Sequence, residues 1–186
     1  MTIIIIHEIY GLTENLRKLA TELEKKGFKV ILPSLYSDNY SGTIEEYSYK
    51  KYFSEVGFEK SIRSIDRIIE ENSKDNIFII GFSIGATLAW IKSADNRVKG
   101  IIGFYGSRIR NYVRITPCIP TRLFFCDEES FDVENLMVEL KKKQNTEVTK
   151  IPGTHGFYSK SVFNSKLVQE TNKRITEELE RLNLSA

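Results

Sequence analysis

Residues 79–86 read Ile79-Ile80-Gly81-Phe82-Ser83-Ile84-Gly85-Ala86, so that an apolar run passes through Gly-x-Ser-x-Gly into a second apolar stretch. Between a strand and a helix, this pattern is typical of a nucleophile elbow, in which the chain reverses direction within one residue. The reversal forces that residue to a positive φ, and the residues two positions away on each side must be small so that strand and helix do not collide. We therefore predict that Ser83 presents its hydroxyl at the end of a buried strand. A serine that only caps the following helix is the alternative.

The rest of the chain alternates short apolar runs with longer amphipathic ones, which is the order expected of βα units. Most of the apolar runs are continuous, which favours strands covered on both faces of a parallel sheet. We predict an α/β protein, a three-layer α/β/α sandwich with a mostly parallel, doubly wound sheet of about six strands. The predicted strands are Thr2–Ile6, Phe28–Leu32, Ile77–Ile80, Val98–Phe104, Arg122–Cys126 and Glu147–Ile151. The predicted helices are Thr13–Lys26, Phe58–Glu71, Ser83–Ala94, a helix capped by Asp132, and about Lys160–Leu182, while residues 34–52 form a loop that holds at most one short helix.

The composition is that of a globular chain. With 186 residues, 41% hydrophobic and 28% charged, it can bury a core, and we expect a single domain over residues 1–186. A net charge of +2 gives no sign of the basic face of a nucleic-acid binder. The apolar run Ile3–Ile6 is too short to span a bilayer, and no basic region precedes it. Two cysteines and two histidines offer little for a metal site, so we expect no metal and no cofactor. Together with the charge and the short apolar run, this predicts a cytoplasmic protein with neither nucleic acid nor membrane as a partner.

A serine hydroxyl needs a base before it can attack at neutral pH, and the chain has two histidines. His155 lies in a glycine-flanked loop after the last predicted strand, where the chain order Ser–acid–His places the base. His7 also follows a strand, but it precedes Ser83 and is the second choice. A solvent-facing loop histidine is the alternative for His155.

The acid that orients this base is expected after the fifth predicted strand. Residues 126–132 read Cys126-Asp127-Glu128-Glu129-Ser130-Phe131-Asp132 and offer four carboxylates. The pattern does not choose among them, and Asp132 can also cap the next helix.

Three blocks of sequence resemble the dienelactone hydrolase family within the α/β-hydrolase fold. The first is residues 4–11, an apolar strand followed by Glu-Ile-Tyr-Gly; the second is the elbow at 81–86; the third combines residues 104–106, 120–131 and 155–157. The resemblance implies a truncated α/β-hydrolase domain, since the chain begins at what would be the third strand of the family. Two departures stand out: Ser83 replaces the cysteine nucleophile of the namesake enzymes, and the arginines that bind the substrate carboxylate have no clear counterparts.

The resemblance also implies the acid and the oxyanion hole. Laying residues 126–131 on the Gly-x-x-Asp-x-Phe pattern of the family puts Glu129 at the acid, with Asp127 and Asp132 as alternatives. The backbone N–H groups of Ile9 and Ile84 would form the oxyanion hole.

Two further residues follow from the same resemblance. Glu8 matches a family glutamate that lies beside the nucleophile, and it is either a site residue or a buried hydrogen-bond partner of the elbow. We group Tyr105 with it as a residue that binds substrate or supports the residues that do.

These observations predict an enzyme that cleaves a small carboxylic ester, thioester or lactone through an acyl-enzyme, with Ser83, His155 and Glu129 as its triad. A catalytically silent binding domain of the same fold is the alternative. A flavin or nucleotide binder fits poorly, because no phosphate-binding loop follows the first strand. The exposed edge at Phe28–Leu32 is compatible with a monomer or a homodimer.

Overall fold

A computed structural model describes residues 1–127 and 131–184, with backbone only for Leu184. Within these ranges the strands are β1 (Thr2–Ile6), β2 (Lys29–Ile31), β3 (Ile77–Phe82), β4 (Val98–Phe104), β5 (Thr121–Asp127) and β6 (Thr146–Thr154). They form one parallel sheet in the order β2-β1-β3-β4-β5-β6. The sequence runs outward from β1 to β2 and then returns to β3. The carboxyl ends of β1 and β3 therefore flank the point where such sheets bind ligands.

The helices of the described residues are α1 (Glu14–Lys25), α2 (Glu45–Lys51), α3 (Gly57–Glu71), α4 (Ile84–Lys92), α5 (Val133–Lys141), α6 (Phe157–Lys160) and α7 (Lys166–Leu184). A π-helical turn, Tyr52–Val56, joins α2 to α3, and a 3-10 turn, Ser107–Asn111, follows β4.

Helices cover both faces of the sheet. The apolar stripes of α1 and α7 pack on one face, against alternate residues of β1, β3, β4 and β5. The other face is covered by α3, α4 and α5. Because both faces are buried, the strands need continuous apolar runs, and β1 is buried at all five positions. The predicted three-layer, doubly wound α/β/α sandwich is confirmed.

Several element boundaries differ from the sequence prediction, and two of the differences have identifiable reasons. The edge strand β2 ends at Ile31 rather than Leu32, next to Pro33, which has no N–H with which to continue the ladder. The predicted helix Lys160–Leu182 is wrong at its start, because α6 ends at Lys160 and Ser161 is extended. The side-chain amide of Asn15 donates to the carbonyl oxygens of Tyr158 (2.5 Å) and Ser161 (2.9 Å), which a continuous helix would use internally.

Residues 34–56, here called the cap, extend the undecided segment of the sequence analysis. They contain α2 and the π-helical turn, and their aromatic rings pack over the turns that follow β1 and β3. Tyr52 is fully buried and packs in this cluster, whereas Tyr47 and Tyr49 are exposed.

Candidate active site

Ser83 occupies the turn between β3 and α4. Its backbone has φ 52° and ψ −112°, and its side chain makes no capping hydrogen bond to α4. The two glycines beside it leave no room for a side chain. A Cβ on Gly81 would lie 2.2 Å from the carbonyl oxygen of Gly85, and a Cβ on Gly85 would lie 2.2 Å from the carbonyl oxygen of Ile6. Close packing of the backbone around Ser83 therefore requires glycine at both positions, which explains the Gly-x-Ser-x-Gly spacing.

The side chains of Ser83 and His155 meet although 72 residues separate them. The Oγ of Ser83 lies 2.7 Å from the Nε2 of His155. His155 lies directly after β6, and Gly156 then adopts a left-handed conformation (φ 76°) that starts α6. The imidazole ring also makes an edge contact with the ring of Tyr105, with 5.3 Å between centroids. When the other ring nitrogen carries the hydrogen, Nε2 is free to accept the serine proton.

Of the acid candidates, Glu129 and Glu128 lie outside the described residues. Asp127 is exposed at the end of β5, and its carboxylate pairs with the Nζ of Lys150 at 2.8 Å. Asp132 caps α5 as predicted, since its carboxylate accepts from the backbone N–H of Asn135 at 3.0 Å. Both alternatives to Glu129 thus have other partners.

His7 is a buried structural residue. Its Nε2 accepts from the backbone N–H of Leu35 at 2.9 Å, and its Nδ1 donates to the carbonyl oxygen of Glu8 at 2.6 Å. Burial lowers the pKa of His7 to about 4, so the ring is neutral at pH 7. Both ring nitrogens bind backbone, which fixes the cap to the end of β1 and leaves neither nitrogen for Ser83.

Ile9 and Ile84 line the same cavity as Ser83. Ile84 is the first residue of α4 and has no intrahelical acceptor. Within the described parts of the chain, neither N–H donates a hydrogen bond. The carbonyl of Ile9 accepts from the hydroxyl of Tyr36 at 2.5 Å, so the cap holds this turn in place. Sequence reasoning missed Tyr36, because nothing in a Tyr- and Ser-rich loop marks which hydroxyl reaches the turn.

Glu8 and Tyr105 form a buried network beneath the histidine. Glu8 is 1% exposed, and its Oε1 accepts from the hydroxyls of Tyr105 (2.8 Å) and Ser159 (2.9 Å). Burial raises the pKa of Glu8, and these hydrogen bonds and the charge of His155 oppose the rise. Tyr105 has φ 40°, unusual for a residue with a side chain. The network connects the ends of β1 and β4 to α6.

A cavity of about 550 Å³ opens over Ser83 and His155. Its lining includes Arg108, whose guanidinium donates to the hydroxyl of Tyr49 and stacks over the ring of Phe53 at 4.7 Å. It also includes Arg110 in the same 3-10 turn after β4. The sequence analysis did not assign these arginines, although a search of every turn that follows a strand would have found them.

The lining also contains an ion pair between the cap and α6, in which the carboxylate of Glu45 lies 2.8 Å from the Nζ of Lys160. Among residues 1–127 and 131–184, no group of three or more His, Cys, Asp or Glu side chains is placed to hold a metal ion. No helix in the same ranges is long and apolar enough to cross a membrane.

Comparison with known sequences gives consistent matches. The sequence model of the dienelactone hydrolase family matches residues 1–182. The uncharacterized protein YczH of Bacillus subtilis strain 168 is 35% identical over 160 residues, which cover 83% of this chain and 79% of that protein. A carboxymethylenebutenolidase of Pseudomonas putida is 23% identical over 128 residues, which cover 62% of this chain and 54% of the enzyme. This match thus spans about half of the length of that enzyme.

Solved structures share the fold. A dienelactone hydrolase from Anabaena variabilis superposes with a TM-score of 0.68 at 13% identity, covering 95% of this chain and 83% of that one. A dienelactone hydrolase-like promiscuous phosphotriesterase from metagenomic libraries gives a TM-score of 0.69 at 12% identity, covering 97% and 86%. Because the family model extends over nearly the whole sequence and its α/β sandwich is the observed fold, the chain belongs to the dienelactone hydrolase family of α/β-hydrolases.

Proposed function

We propose that this hydrolase is a serine hydrolase that cleaves a small carboxylic ester, thioester or lactone through an acyl-enzyme. The observation that carries the proposal is the 2.7 Å contact between the Ser83 hydroxyl and His155 Nε2 at a positive-φ turn. A nucleophile within hydrogen-bond reach of a base is the arrangement that acyl transfer requires. The cavity over this pair supports the same conclusion, since its size suits a small substrate.

In the proposed reaction, Ser83 Oγ bonds to the carbonyl carbon while His155 Nε2 takes the hydroxyl proton. The carbonyl oxygen becomes an oxyanion. When the bond to the leaving group breaks, the imidazolium returns its proton to the departing alcohol or thiol and an acyl-serine remains. Water then attacks the acyl-serine, His155 takes the proton of the water, and collapse releases the acid and restores Ser83.

Two backbone groups are proposed to bind the oxyanion. Ile9 and Ile84 line the cavity, and their N–H groups have no hydrogen-bond acceptor in the described ranges. Donors fixed in advance at such a site are worth roughly a hundredfold or more in turnover each. Glu129 is proposed to orient the imidazole, by its position in the family pattern.

The test is covalent labelling by a fluorophosphonate, which reacts with an activated serine. Intact protein is expected to label rapidly, and the Ser83→Ala and His155→Ala variants are expected not to label. Ser54 is an exposed serine of the cap, so Ser54→Ala is a matched control that keeps wild-type labelling. A panel of short-chain aryl esters, thioesters and lactones then identifies the bond that is cleaved. If intact protein labels no faster than Ser83→Ala or His155→Ala, the serine-hydrolase proposal is refuted and the alternative, a catalytically silent binding domain, is favoured.

A further inference from the structure

A residue that lines the cavity has one buried carboxylate oxygen with no hydrogen-bond partner among the described residues. Glu8 is 1% exposed, and its Oε2 makes no hydrogen bond within residues 1–127 and 131–184. Glu8 lines the cavity that also contains Ser83 and His155. Buried polar atoms are nearly always hydrogen-bonded, because the loss of water is otherwise uncompensated. An orphan atom beside the candidate nucleophile therefore indicates that something outside the protein binds there.

The other oxygen of the same carboxyl group defines what Oε2 can bind. The hydroxyls of Tyr105 and Ser159 both donate to Oε1. Oε1 is thus an acceptor, and any proton on the carboxyl group is on Oε2. Oε2 is an acceptor when Glu8 is ionised and a donor when it is protonated. A hydroxyl group can pair with it in either state, because a hydroxyl both donates and accepts.

The position of Oε2 indicates which part of a substrate it meets. A Cβ placed on Gly156 would lie 3.5 Å from this oxygen, so Oε2 lies against the backbone beside His155. His155 returns the proton to the leaving group in the proposed reaction, and groups next to it belong to the alcohol part of an ester. The neighbouring cation, Lys160, has its Nζ 2.8 Å from the carboxylate of Glu45 and is bound there instead.

We propose that Glu8 is a specificity-determining residue whose Oε2 binds a hydroxyl on the alcohol part of the substrate, so that hydroxyalkyl esters are preferred. This inference rests on the proposed serine-hydrolase function.

The test compares two esters that form the same acyl-enzyme, 2-hydroxyethyl butyrate and propyl butyrate. They differ by a hydroxyl against a methyl group in the alcohol, so the ratio of their kcat/KM values reports on leaving-group binding. After correction for their relative rates of hydrolysis by hydroxide, wild-type protein is expected to prefer the hydroxyethyl ester by about tenfold or more. The Glu8→Met variant removes Oε2 and is expected to lose the preference. Ser159→Ala removes one donor to Oε1 and leaves Oε2 in place, so it is expected to keep the preference.

The intact protein alone can overturn the inference, even if Glu8→Met does not fold. Cleavage of both esters at rates in the ratio set by hydroxide would show that Oε2 binds no substrate hydroxyl, while the proposed hydrolase function would stand. A preference that survives in folded Glu8→Met protein would also refute the role of Glu8. Cleavage of neither ester, together with no fluorophosphonate labelling, would remove the proposed function and this inference with it.

Discussion

The strain at the elbow can be measured by comparing the Ser83→Gly variant with the Ser83→Ala variant. Both lose the hydroxyl and its hydrogen bond to His155, so that contribution cancels. They differ in the Cβ, which at φ 52° and ψ −112° disfavours any residue but glycine. The comparison therefore isolates what this backbone conformation costs a residue with a side chain.

The expected difference in the free energy of unfolding between Ser83→Gly and Ser83→Ala follows from three contributions. Relief of the strained conformation stabilises the Ser83→Gly variant by about 1–3 kcal/mol. The greater freedom of glycine in the unfolded chain offsets about 0.5–1 kcal/mol of this. Loss of a methyl group at a site that is 6% exposed offsets about 0.8 kcal/mol more. At the middle of the range, Ser83→Gly is about 0.5 kcal/mol more stable than Ser83→Ala.

The matched control is Ala86→Gly, which removes a fully buried methyl group from the first turns of α4. This variant loses the buried methyl group and gains the freedom of glycine in the unfolded chain, but it relieves no backbone strain. Its free energy of unfolding should therefore fall by about 1.5 kcal/mol. The two alanine-to-glycine comparisons should thus differ by about 2 kcal/mol, or about 4–8 °C in Tm for a chain of this size. Urea titration and calorimetry measure both. Equal costs at positions 83 and 86 would show that the elbow stores no strain.

Three further outcomes follow from the structure. Burial lowers the pKa of His7 from 6.5 to about 4, so its contribution to stability is complete above pH 6.5 and falls by about 3 kcal/mol as the pH drops toward 4. Urea titrations from pH 4 to 8 should show that the free energy of unfolding depends less steeply on pH in His7→Gln than in the wild type, and an equal pH dependence would contradict this. Gly85→Ala forces a Cβ to 2.2 Å from a backbone carbonyl and should lower the free energy of unfolding by well over 2 kcal/mol, whereas Gly27→Ala, at φ 90° with nothing within 4 Å, should lower it by about 1 kcal/mol. Urea titration measures both, and similar values would refute the packing argument. Glu129→Gln should lower kcat by orders of magnitude while Asp127→Asn stays near wild type, and the reverse result would move the acid to Asp127.

The sequence predicted those parts of the fold that depend on local backbone requirements. The strands followed from apolar runs that only a doubly covered sheet needs, and the elbow followed from glycines whose Cβ atoms would strike backbone. The pairing of Ser83 with His155 was expected because parallel strands bring the turns at their carboxyl ends to one edge of the sheet.

The parts that the sequence left undecided depend on contacts between distant residues. The break in the predicted last helix is stabilised by the amide of Asn15, which donates to the Tyr158 carbonyl across 143 residues and to the Ser161 carbonyl at the end of α6. The cap depends on how several tyrosines pack together, and periodicity carries no information on which hydroxyl reaches Ile9. Three candidates for the acid were weighed because the run of carboxylates has no pattern. The structure shows the partners of Asp127, which also lines the cavity, and of Asp132, whereas Glu129 lies outside the described residues.

Two kinds of contact hold the candidate site together, backbone packing and side-chain hydrogen bonds. The elbow and the turn after β1 are joined by direct backbone packing of Gly85 on the end of β1, which leaves no room for a side chain at Gly85. The segment that follows His155 is held by side-chain hydrogen bonds. The Asn15 amide donates to its carbonyl oxygens at Tyr158 and Ser161, and its Ser159 hydroxyl donates to Glu8. Glu8 thus links the turn after β1 to the segment that follows His155. A change at Glu8 is expected to shift His155 for every substrate alike, and only the ratio between matched esters separates binding of a substrate hydroxyl from this common effect.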